Sequence, residues 1–294
     1  MSFIEEIQGA VGGAAETVGP SVVGLGRGWG RGSGVVTADG VVLTNAHVLR
    51  GDEVAVSFPD GRTAHGRVAG ADADLDLAAI AVDTGDAPPV AWDPERAGAA
   101  GIGTPVFALA NPGGRGLRAT FGLVSATGRS FRGPRGRRIG GSLEHSAPLP
   151  RGSSGGPLVD AEHHLLGLNT IRIEGGLILA LPADAAMQRR AEALHSGAAK
   201  NRPRLGIAIA PPRAARRMRA AVGLPERDGL LVRGVEADGP AANAGIERGD
   251  LLIGVGGQPL STVDALFDAL EGGGELTLQV LRGTEERTVS IPLQ

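Results

Sequence analysis

The 294-residue chain has no cysteine, so it can form no disulfide and offers no thiolate to a metal ion. Its histidines do not occur in H-E-x-x-H or a comparable ligand spacing, and we therefore expect no metal site. No nucleotide cofactor is expected either, because the glycines of 24–34 alternate strictly and lack the G-x-G-x-x-G and P-loop patterns that bind phosphates. The absence of cysteine fits oxidising and reducing compartments alike.

Long apolar runs are also absent. No stretch reaches the roughly 20 consecutive apolar residues of a membrane span, so we expect no such span. The segment Met1–Gln8 carries acidic residues where a signal peptide has a basic region, which predicts a cytoplasmic protein as the sequence is written. A cell-envelope location stays open if a signal or an anchor has been removed.

Aromatic residues make up only 3% of the chain, and the formal net charge is only −3. With 42% hydrophobic residues there is enough apolar material for cores, which must be built largely from Val, Leu, Ile and Ala. The small negative charge argues against a nucleic-acid-binding or membrane-surface protein. The arginine-rich stretch 129–138 is a local exception, which we interpret as a solvated loop between strands.

The most informative stretch that is present runs from Pro150 to Leu158 and contains two adjacent serines among glycines. A serine on such a turn can act as a nucleophile, because glycines let the backbone approach a substrate carbonyl. If Ser154 is that serine, the N–H groups of Gly152 and Ser154 can point at the developing oxyanion. Two other interpretations compete: a flexible loop, and the nucleophile elbow G-x-S-x-G, which needs an acid and a histidine after the serine.

A base and an acid for this serine occur earlier in the chain. His47 follows two apolar strands joined at Asp39-Gly40, so a scaffold holds it just past a strand end. Of the three acidic residues in 71–82, Asp76 lies deepest in an apolar strand and is the one expected to be buried against an imidazole. The order His, Asp, Ser is that of chymotrypsin-type enzymes. The remaining histidines are interpreted as structural.

These motifs resemble those of the HtrA (Deg) family of trypsin-like serine proteases with a C-terminal PDZ domain. The resemblance implies that His47 is the general base, Asp76 its orienting acid and Ser154 the nucleophile. It also implies an oxyanion hole at Gly152, Ser153 and Ser154. The matching segments are Thr44-Asn45-Ala46-His47-Val48, Asp76-Leu77-Ala78, Ala110-Asn111-Pro112, Gly122-Leu123-Val124-Ser125-Ala126, Gly152-Ser153-Ser154-Gly155-Gly156-Pro157-Leu158 and Gly167-Leu168-Asn169-Thr170.

Three departures from the family pattern limit what can be transferred. Ser153 stands where the family usually has Asn, at a position that helps to set the geometry of the oxyanion loop. Gly113-Gly114 stand where an aromatic or bulky residue is common, and the run Glu144-His145-Ser146 replaces a Thr-Asp-Ala-like run. None of these changes touches the implied triad.

The resemblance also implies the architecture. It predicts an all-β chymotrypsin-like protease domain of two six-stranded barrels with the cleft between them, followed by a small α+β PDZ domain. Short apolar runs that alternate with Gly, Pro and Asp turns favour the all-β part. The expected divisions are a lead-in segment 1–19, a protease domain 20–197, a linker 198–203 and a PDZ domain 204–294.

In the PDZ domain, the resemblance places the carboxylate of a bound peptide at the backbone N–H groups of Leu205, Gly206 and Ile207. The peptide itself would add as a strand between that segment and a helix that bears Leu266 and Leu270. The expected ligands are therefore C-terminal peptides. A domain that only spaces the protease is the alternative.

The resemblance to trypsin-like proteases implies an S1 pocket at Pro148, Leu168 and Thr170, with Pro148 at its base six residues before the nucleophile. No carboxylate is present there to neutralise a substrate Lys or Arg, and burying an unpaired cation is strongly unfavourable. We therefore expect small to medium aliphatic residues at the P1 position of substrates.

The expected function is that of an ATP-independent serine endopeptidase of protein quality control and stress response, which cleaves unfolded or damaged proteins. In the family, lead-in segments support trimer contacts, so we expect a homotrimer or a multiple of trimers, with Phe3 the only aromatic residue available in 1–19. A chaperone-like or peptide-binding protein with little turnover is the alternative, because of Ser153 and the altered loops.

Overall fold

The computed structural model describes residues 2–26, 32–133, 138–198, 205–271 and 274–293. The chain forms two compact units, Met1–Lys200 and Asn201–Gln294. Several features expected from the sequence fall wholly or partly outside the described residues: most of the linker 198–203, positions 134–137 of the arginine-rich stretch, positions 27–31 of the glycine stretch and the side chain of Phe3.

The first unit contains two closed antiparallel barrels. The strands of the first are β1 (Val22–Leu25), β2 (Gly32–Ala38), β3 (Val41–Thr44), β4 (Glu53–Ser57), β5 (Thr63–Asp72) and β6 (Leu77–Ala81). They close in the order β1-β2-β3-β6-β5-β4. The β2–β3 hairpin turns at Asp39-Gly40, where Gly40 takes a φ of 71° that suits glycine. Val36, Val42 and Ile80 are buried in the core of this barrel, as aliphatic side chains on inward-facing positions should be.

The second barrel has a longer hairpin and carries the glycine-serine turn. Its strands are β7 (Pro105–Ala110), β8 (Arg118–Arg132), β9 (Arg138–His145), β10 (Pro157–Val159), β11 (Leu165–Arg172) and β12 (Ile178–Pro182). They close in the order β10-β11-β12-β9-β8-β7. The connection from β9 to β10 contains Ser154, so the nucleophile candidate lies on a loop held at both ends by strands of one barrel.

Three helices complete the first unit: α1 (Phe3–Val18), α2 (Pro94–Ala99) and α3 (Ala185–His195). The lead-in is a full helix of 16 residues, although its glycines lower helix propensity. A capping box formed by Ser2 and Glu5 starts it, and Ala14 and Val18 are buried in the core shared with the second barrel. In α3, Asp184 caps the first turn. Among the described helices, none has the length and apolar character that crossing a membrane demands.

The second unit is a mixed α+β domain. Its elements are β13 (Ile207–Ala210), α4 (Pro212–Ala220), β14 (Leu230–Val235), α5 (Pro240–Asn243), β15 (Leu251–Val255), β16 (Gln258–Pro259), α6 (Val263–Glu271), β17 (Gly274–Arg282) and β18 (Glu285–Leu293). The sheet has the order β13-β14-β15-β17-β18, and β16 pairs with β15. The predicted fold class, two six-stranded barrels followed by a small α+β domain, is confirmed.

Candidate active site

His47 and Asp76 are both presented by the first barrel, at the ends of neighbouring strands. His47 lies in the helical turn Ala46–Val48 just after β3, and its side chain is 28% exposed. Asp76 is buried in the turn that precedes β6, not inside the strand as the sequence suggested. Its φ of 55° lies in the left-handed region, which is costly for a residue with a side chain. Asn45 stabilises this turn by donating its side-chain amide to the Asp76 carbonyl at 3.0 Å.

The Asp76 carboxylate accepts hydrogen bonds from both barrels. Nδ1 of His47 lies 2.9 Å from Oδ1 and 2.8 Å from Oδ2, and the backbone N–H of His47 donates to Oδ1 at 3.0 Å. From the second barrel, Oγ1 of Thr170 donates to Oδ2 at 2.8 Å. Because Nδ1 carries the hydrogen that faces the carboxylate, the basic lone pair of a neutral ring is on Nε2.

Ser154 lies on a tight turn that is bounded by glycines. Gly152 and Gly155 take φ values of 88° and 85°, where L-residues are strained. A Cβ atom added at Gly155 would overlap the side chain of Thr44 and the carbonyl of Ser33, both in the first barrel. Only glycine therefore lets the turn approach the first barrel this closely.

Ser33, on β2, fastens the turn to the first barrel. Its backbone N–H donates to the Ser154 carbonyl at 2.9 Å, and its hydroxyl donates to the Gly152 carbonyl at 3.0 Å. The same hydroxyl accepts the backbone N–H of Asn111 at 3.0 Å. Ser33 thus links three segments, a role that no sequence signal indicated.

The backbone N–H groups of Gly152 and Ser154 have no acceptor among the described residues. They can therefore receive a carbonyl oxygen of a substrate, as an oxyanion hole must. The hydroxyl of Ser153 donates to the carbonyl of Pro150 at 2.8 Å. In this position Ser153 stabilises the loop that leads into the turn.

The hydroxyl of Ser154 donates to the carbonyl of Thr170 at 2.9 Å. Within the described part of the chain, no hydrogen bond joins this hydroxyl to His47. Thr170 sits where the β11–β12 register shifts, between Asn169 and Ile171, and such a bulge redirects the residue it contains. Thr170 thereby contacts both Asp76 and Ser154, with its hydroxyl and its carbonyl respectively.

The three residues expected to line the S1 pocket lie in different surroundings. Pro148 is exposed in the segment before the glycine-serine turn. Leu168 is fully buried in β11, opposite Pro157 and Leu181. Thr170 is buried and its hydroxyl is engaged with Asp76.

In the second unit, the residues expected to bind a peptide lie at one edge of the sheet and on α6. Leu205 is buried, and Gly206 takes a left-handed φ of 72° immediately before Ile207 opens β13. β13 is the first strand of the sheet, so one of its edges has no neighbouring strand among the described elements. Leu266 and Leu270 are buried on α6 in the core of this unit.

Two six-stranded barrels, one presenting a His–Asp pair and the other a serine on a glycine turn, define a chymotrypsin-like serine endopeptidase. Comparison with known proteins agrees with this class. The model of the trypsin-like peptidase domain family matches residues 32–168, and that of the PDZ domain family matches residues 231–282.

The relatives are more specific. The chain is 32% identical over 281 residues to the serine endoprotease DegS of Escherichia coli, with 90% of this chain and 76% of DegS covered. It is 33% identical over 271 residues to a probable periplasmic serine endoprotease DegP-like of Halomonas elongata, with 88% of this chain and 55% of that protein covered. The chain thus spans about half the length of the DegP-like relative.

Solved structures give the same result. The HtrA-type protease AlgW with a decapeptide superposes with a TM-score of 0.61 at 25% identity, covering 97% of this chain and 98% of that chain. The serine endoprotease of Yersinia pestis superposes with a TM-score of 0.60 at 28% identity, covering 97% of each chain. The chain belongs to the HtrA (Deg) family, and it is a serine-type endopeptidase with a PDZ domain. The relatives give no support to the expectation of a cytoplasmic protein, since the DegP-like one is named periplasmic.

Proposed function

We propose that this endopeptidase cleaves unfolded or damaged proteins without ATP, using His47 as general base, Asp76 as its orienting acid and Ser154 as nucleophile. The observation that carries the proposal is the contact of His47 Nδ1 with both oxygens of a buried Asp76. That contact leaves Nε2 as the basic atom of the ring. The roles of the nucleophile and the oxyanion hole are supported by the glycine-bounded turn of Ser154, where no described residue accepts from the N–H groups of Gly152 and Ser154.

With these roles the reaction proceeds in two stages, acylation of Ser154 and hydrolysis of the acyl-enzyme. Ser154 exchanges its hydrogen bond with Thr170 for one with His47, gives its proton to Nε2, and its Oγ attacks the peptide carbonyl carbon. The oxyanion that forms is stabilised by the N–H groups of Gly152 and Ser154. His47 returns the proton to the leaving amine. A water molecule then attacks the acyl-enzyme while it gives a proton to Nε2 of His47, and His47 passes that proton to Oγ of Ser154 as the bond to the acyl group breaks. Asp76 stays ionised throughout and stabilises the imidazolium, while Thr170 and the His47 N–H hold its carboxylate in place.

Labelling with a fluorophosphonate tests this proposal, because the reagent reacts only with an activated serine. We expect the wild-type chain to be labelled on Ser154 and the Ser154→Ala variant to remain unlabelled. Labelling of the alanine variant, or labelling of another residue in the wild type, would refute the assignment. Cleavage of casein in the absence of nucleotide tests the preference for unfolded chains.

A second candidate function is a chaperone-like or peptide-binding protein with little turnover. The bond between Ser154 and the Thr170 carbonyl favours it, because in this arrangement the hydroxyl is not on the base. Serine in place of asparagine at position 153 points the same way. A folded chain that binds unfolded casein but is neither labelled nor able to cleave it would establish this alternative.

We propose that P1 residues are small to medium aliphatic side chains. Pro148 and its neighbours Ala147 and Leu149 offer no carboxylate to a substrate cation. Product mapping on a peptide library tests this. Cleavage mainly after Lys or Arg would refute it, whereas cleavage after Val, Ala, Ile or Leu supports it.

We propose that residues 204–294 act as a PDZ domain that binds free C-termini, downstream of a lead-in 1–19, a protease domain 20–197 and a linker 198–203. The open edge of β13 and the left-handed Gly206 before it support strand addition with carboxylate capture at Leu205, Gly206 and Ile207. Calorimetry on the Ser154→Ala chain, with peptides that end in an apolar residue as free acid or amide, tests it. Equal affinities would show that the carboxylate is not recognised.

We further propose that the chain assembles into a homotrimer, or a multiple of trimers, through α1. Ile4 on this helix is 75% exposed, which leaves a large apolar side chain for a partner subunit. Sedimentation of the wild type and of Ile4→Glu tests this proposal. A wild-type monomer would contradict it, and a trimer that the substitution weakens would support it.

A further inference from the structure

Asn169 contacts the Ser154 turn with its backbone and with its side chain. Its backbone N–H donates to the Gly156 carbonyl at 2.9 Å, and its carbonyl accepts from the Gly155 N–H at 2.7 Å. Its Nδ2 donates to the carbonyls of Gly156 at 2.9 Å and Pro157 at 3.1 Å. The two residues that follow the turn are therefore held through one amide group, and that group can do so only in one orientation.

The orientation of this amide depends on His145. With Nδ2 directed at two carbonyls, Oδ1 of Asn169 points the other way and accepts a hydrogen bond from Nε2 of His145 at 2.8 Å. His145 is fully buried on β9, where it pairs with Val124 of β8 and Ile178 of β12. Its ring thus reaches the amide from inside the second barrel.

The tautomer of His145 follows from the same contact. Since Oδ1 can only accept, Nε2 must carry the hydrogen, and a neutral ring then has its lone pair on Nδ1. No described residue offers a partner to Nδ1. Burial lowers the pKa of His145 from 6.5 to about 4, although the bond with Asn169 opposes the shift. The ring is therefore neutral near pH 7 and donates a hydrogen bond through Nε2 alone.

We propose that His145 is a positioning residue for the nucleophile, acting through Asn169 on the backbone of the Ser154 turn. The inference rests on the proposed role of Ser154. It goes beyond that role, because it assigns a task in the reaction to a buried histidine that does not touch the substrate. Asn169 is adjacent to Thr170, which contacts both Asp76 and Ser154. Rotation of the Asn169 side-chain amide would therefore disturb these residues as well.

A positioning role and a purely structural role of His145 predict opposite effects of substitutions. His145 sits in an apolar barrel core, so leucine, which matches it in size, should suit a packing role better than glutamine, although leucine leaves Oδ1 of Asn169 without its donor. Glutamine carries an N–H at a distance from the backbone similar to that of imidazole Nε2 and can still donate to Asn169. A positioning role therefore requires glutamine to be active and leucine to be slow.

The test measures the rate of fluorophosphonate labelling of Ser154, together with kcat and KM for a peptide, in His145→Leu and His145→Gln. We expect His145→Leu to lose about 10- to 100-fold in labelling rate and kcat, with little change in KM, because small displacements of a nucleophile are costly. We expect His145→Gln to stay within about threefold of the wild type, irrespective of which variant melts higher. A His145→Leu chain that is labelled as fast as the wild type, or a His145→Gln chain as slow as His145→Leu, would overturn the proposal.

Two further variants separate positioning from stability. Asn169→Leu removes the amide, and because His145 acts through it, adding His145→Leu to Asn169→Leu should slow labelling no further. Additive losses would contradict the proposal. Val124→Ala truncates a buried neighbour of His145 and should lower the melting temperature while leaving the labelling rate unchanged well below it.

If His145→Leu does not fold, His145→Thr replaces it, since a threonine hydroxyl stays near the backbone and does not reach Asn169. Labelling of this variant at the wild-type rate would then overturn the proposal, and slow labelling that glutamine restores would support it. The Ser154→Ala chain distinguishes a wrong nucleophile from a wrong positioning role. If it is labelled, the proposed nucleophile is wrong; if it is not, while His145→Leu is labelled normally, only the positioning role is wrong.

Discussion

The two barrels of the first unit contribute to the site in different ways. The first barrel presents His47 and Asp76, the proposed base and acid, which contact each other, and most of their contacts come from the same barrel, through Asn45 and the His47 backbone. The second barrel presents a serine whose turn is held from both sides, by Ser33 of the first barrel and by Asn169 of the second. The proposed base and acid form a locally assembled pair, whereas the position of the proposed nucleophile depends on how the barrels meet.

The first prediction tests the one feature that both barrels must share, the reaction itself. Ser154→Ala, His47→Ala and Asp76→Asn should each lower kcat by about 10⁴- to 10⁶-fold, because the three act as a unit. For the same reason, the double variant of Ser154 and His47 should lie close to either single variant. Asp74→Asn, in the same turn as Asp76, is the control and should keep its turnover. A dead Asp74→Asn beside an active Asp76→Asn would reverse the assignment of the acid.

The second prediction breaks the contact between the barrels at the nucleophile turn. In Gly155→Ala the new methyl group overlaps the Thr44 side chain and the Ser33 carbonyl, so the turn must move away from the first barrel. We expect kcat to fall by about 100-fold or more, since a displacement near 1 Å has such an effect.

Gly175→Ala is the matched control for that variant. Gly175 has a φ of 81°, close to the 85° of Gly155, but nothing lies within 4 Å of its added Cβ atom. Both variants share the cost of a left-handed alanine, about 1–2 kcal/mol, and only Gly155→Ala should lose activity. Equal activity of the two chains in a casein assay would show that the close approach of the barrels is unimportant.

The third prediction removes the hydrogen bond that Thr170, in the second barrel, donates to Asp76 in the first. Thr170→Val deletes the hydroxyl that donates to Asp76 Oδ2 and keeps the shape of the side chain. A hydrogen bond to a buried charged group contributes about 1.5–3 kcal/mol, so we expect kcat to fall by about 10- to 100-fold. Thr170→Ser retains the hydroxyl and should stay near the wild type. If valine and serine behave alike in steady-state kinetics, the first barrel needs no help in holding its acid.

The same difference explains what the sequence could predict. The pairing of His47 with Asp76 follows from chain order and from neighbouring apolar residues, because both lie at strand ends of one barrel. The left-handed backbone of Asp76 could not be predicted, since a positive φ is uncommon in residues other than glycine. The all-β character of the first unit could be predicted because short apolar runs and glycine turns are local features, whereas the two six-stranded barrels were implied by the family resemblance.

The contacts between the two barrels could not be predicted from the sequence. Ser33 and Gly152 are 119 residues apart, and Thr170 and Asp76 are 94 apart, so their meeting depends on the registers of two closed sheets. Thr170 was expected in the S1 pocket from its position in a motif. That position gave no sign that its hydroxyl donates to Asp76. His145 was interpreted as structural, since a lone histidine at the end of an apolar strand carries no signal of its partner.

The last prediction concerns stability and leaves activity at neutral pH untouched. The pKa of His145 is lowered from 6.5 to about 4 by burial, whereas the unfolded chain has the ordinary value. Between these values the unfolded state binds a proton that the folded state does not, so the free energy of unfolding falls as pH falls through this window and levels off below it.

At about 1.4 kcal/mol per unit, the interval between 6.5 and about 4 corresponds to about 3 kcal/mol. His145→Gln cannot titrate and should lose this component while it keeps the hydrogen bond to Asn169. Urea unfolding of both chains across the acid range measures the difference, and carboxylates that titrate in both chains cancel from it. Parallel curves for the two chains would mean that burial does not hold the ring of His145 neutral. A neutral ring that orients Asn169 through Nε2 would then be excluded.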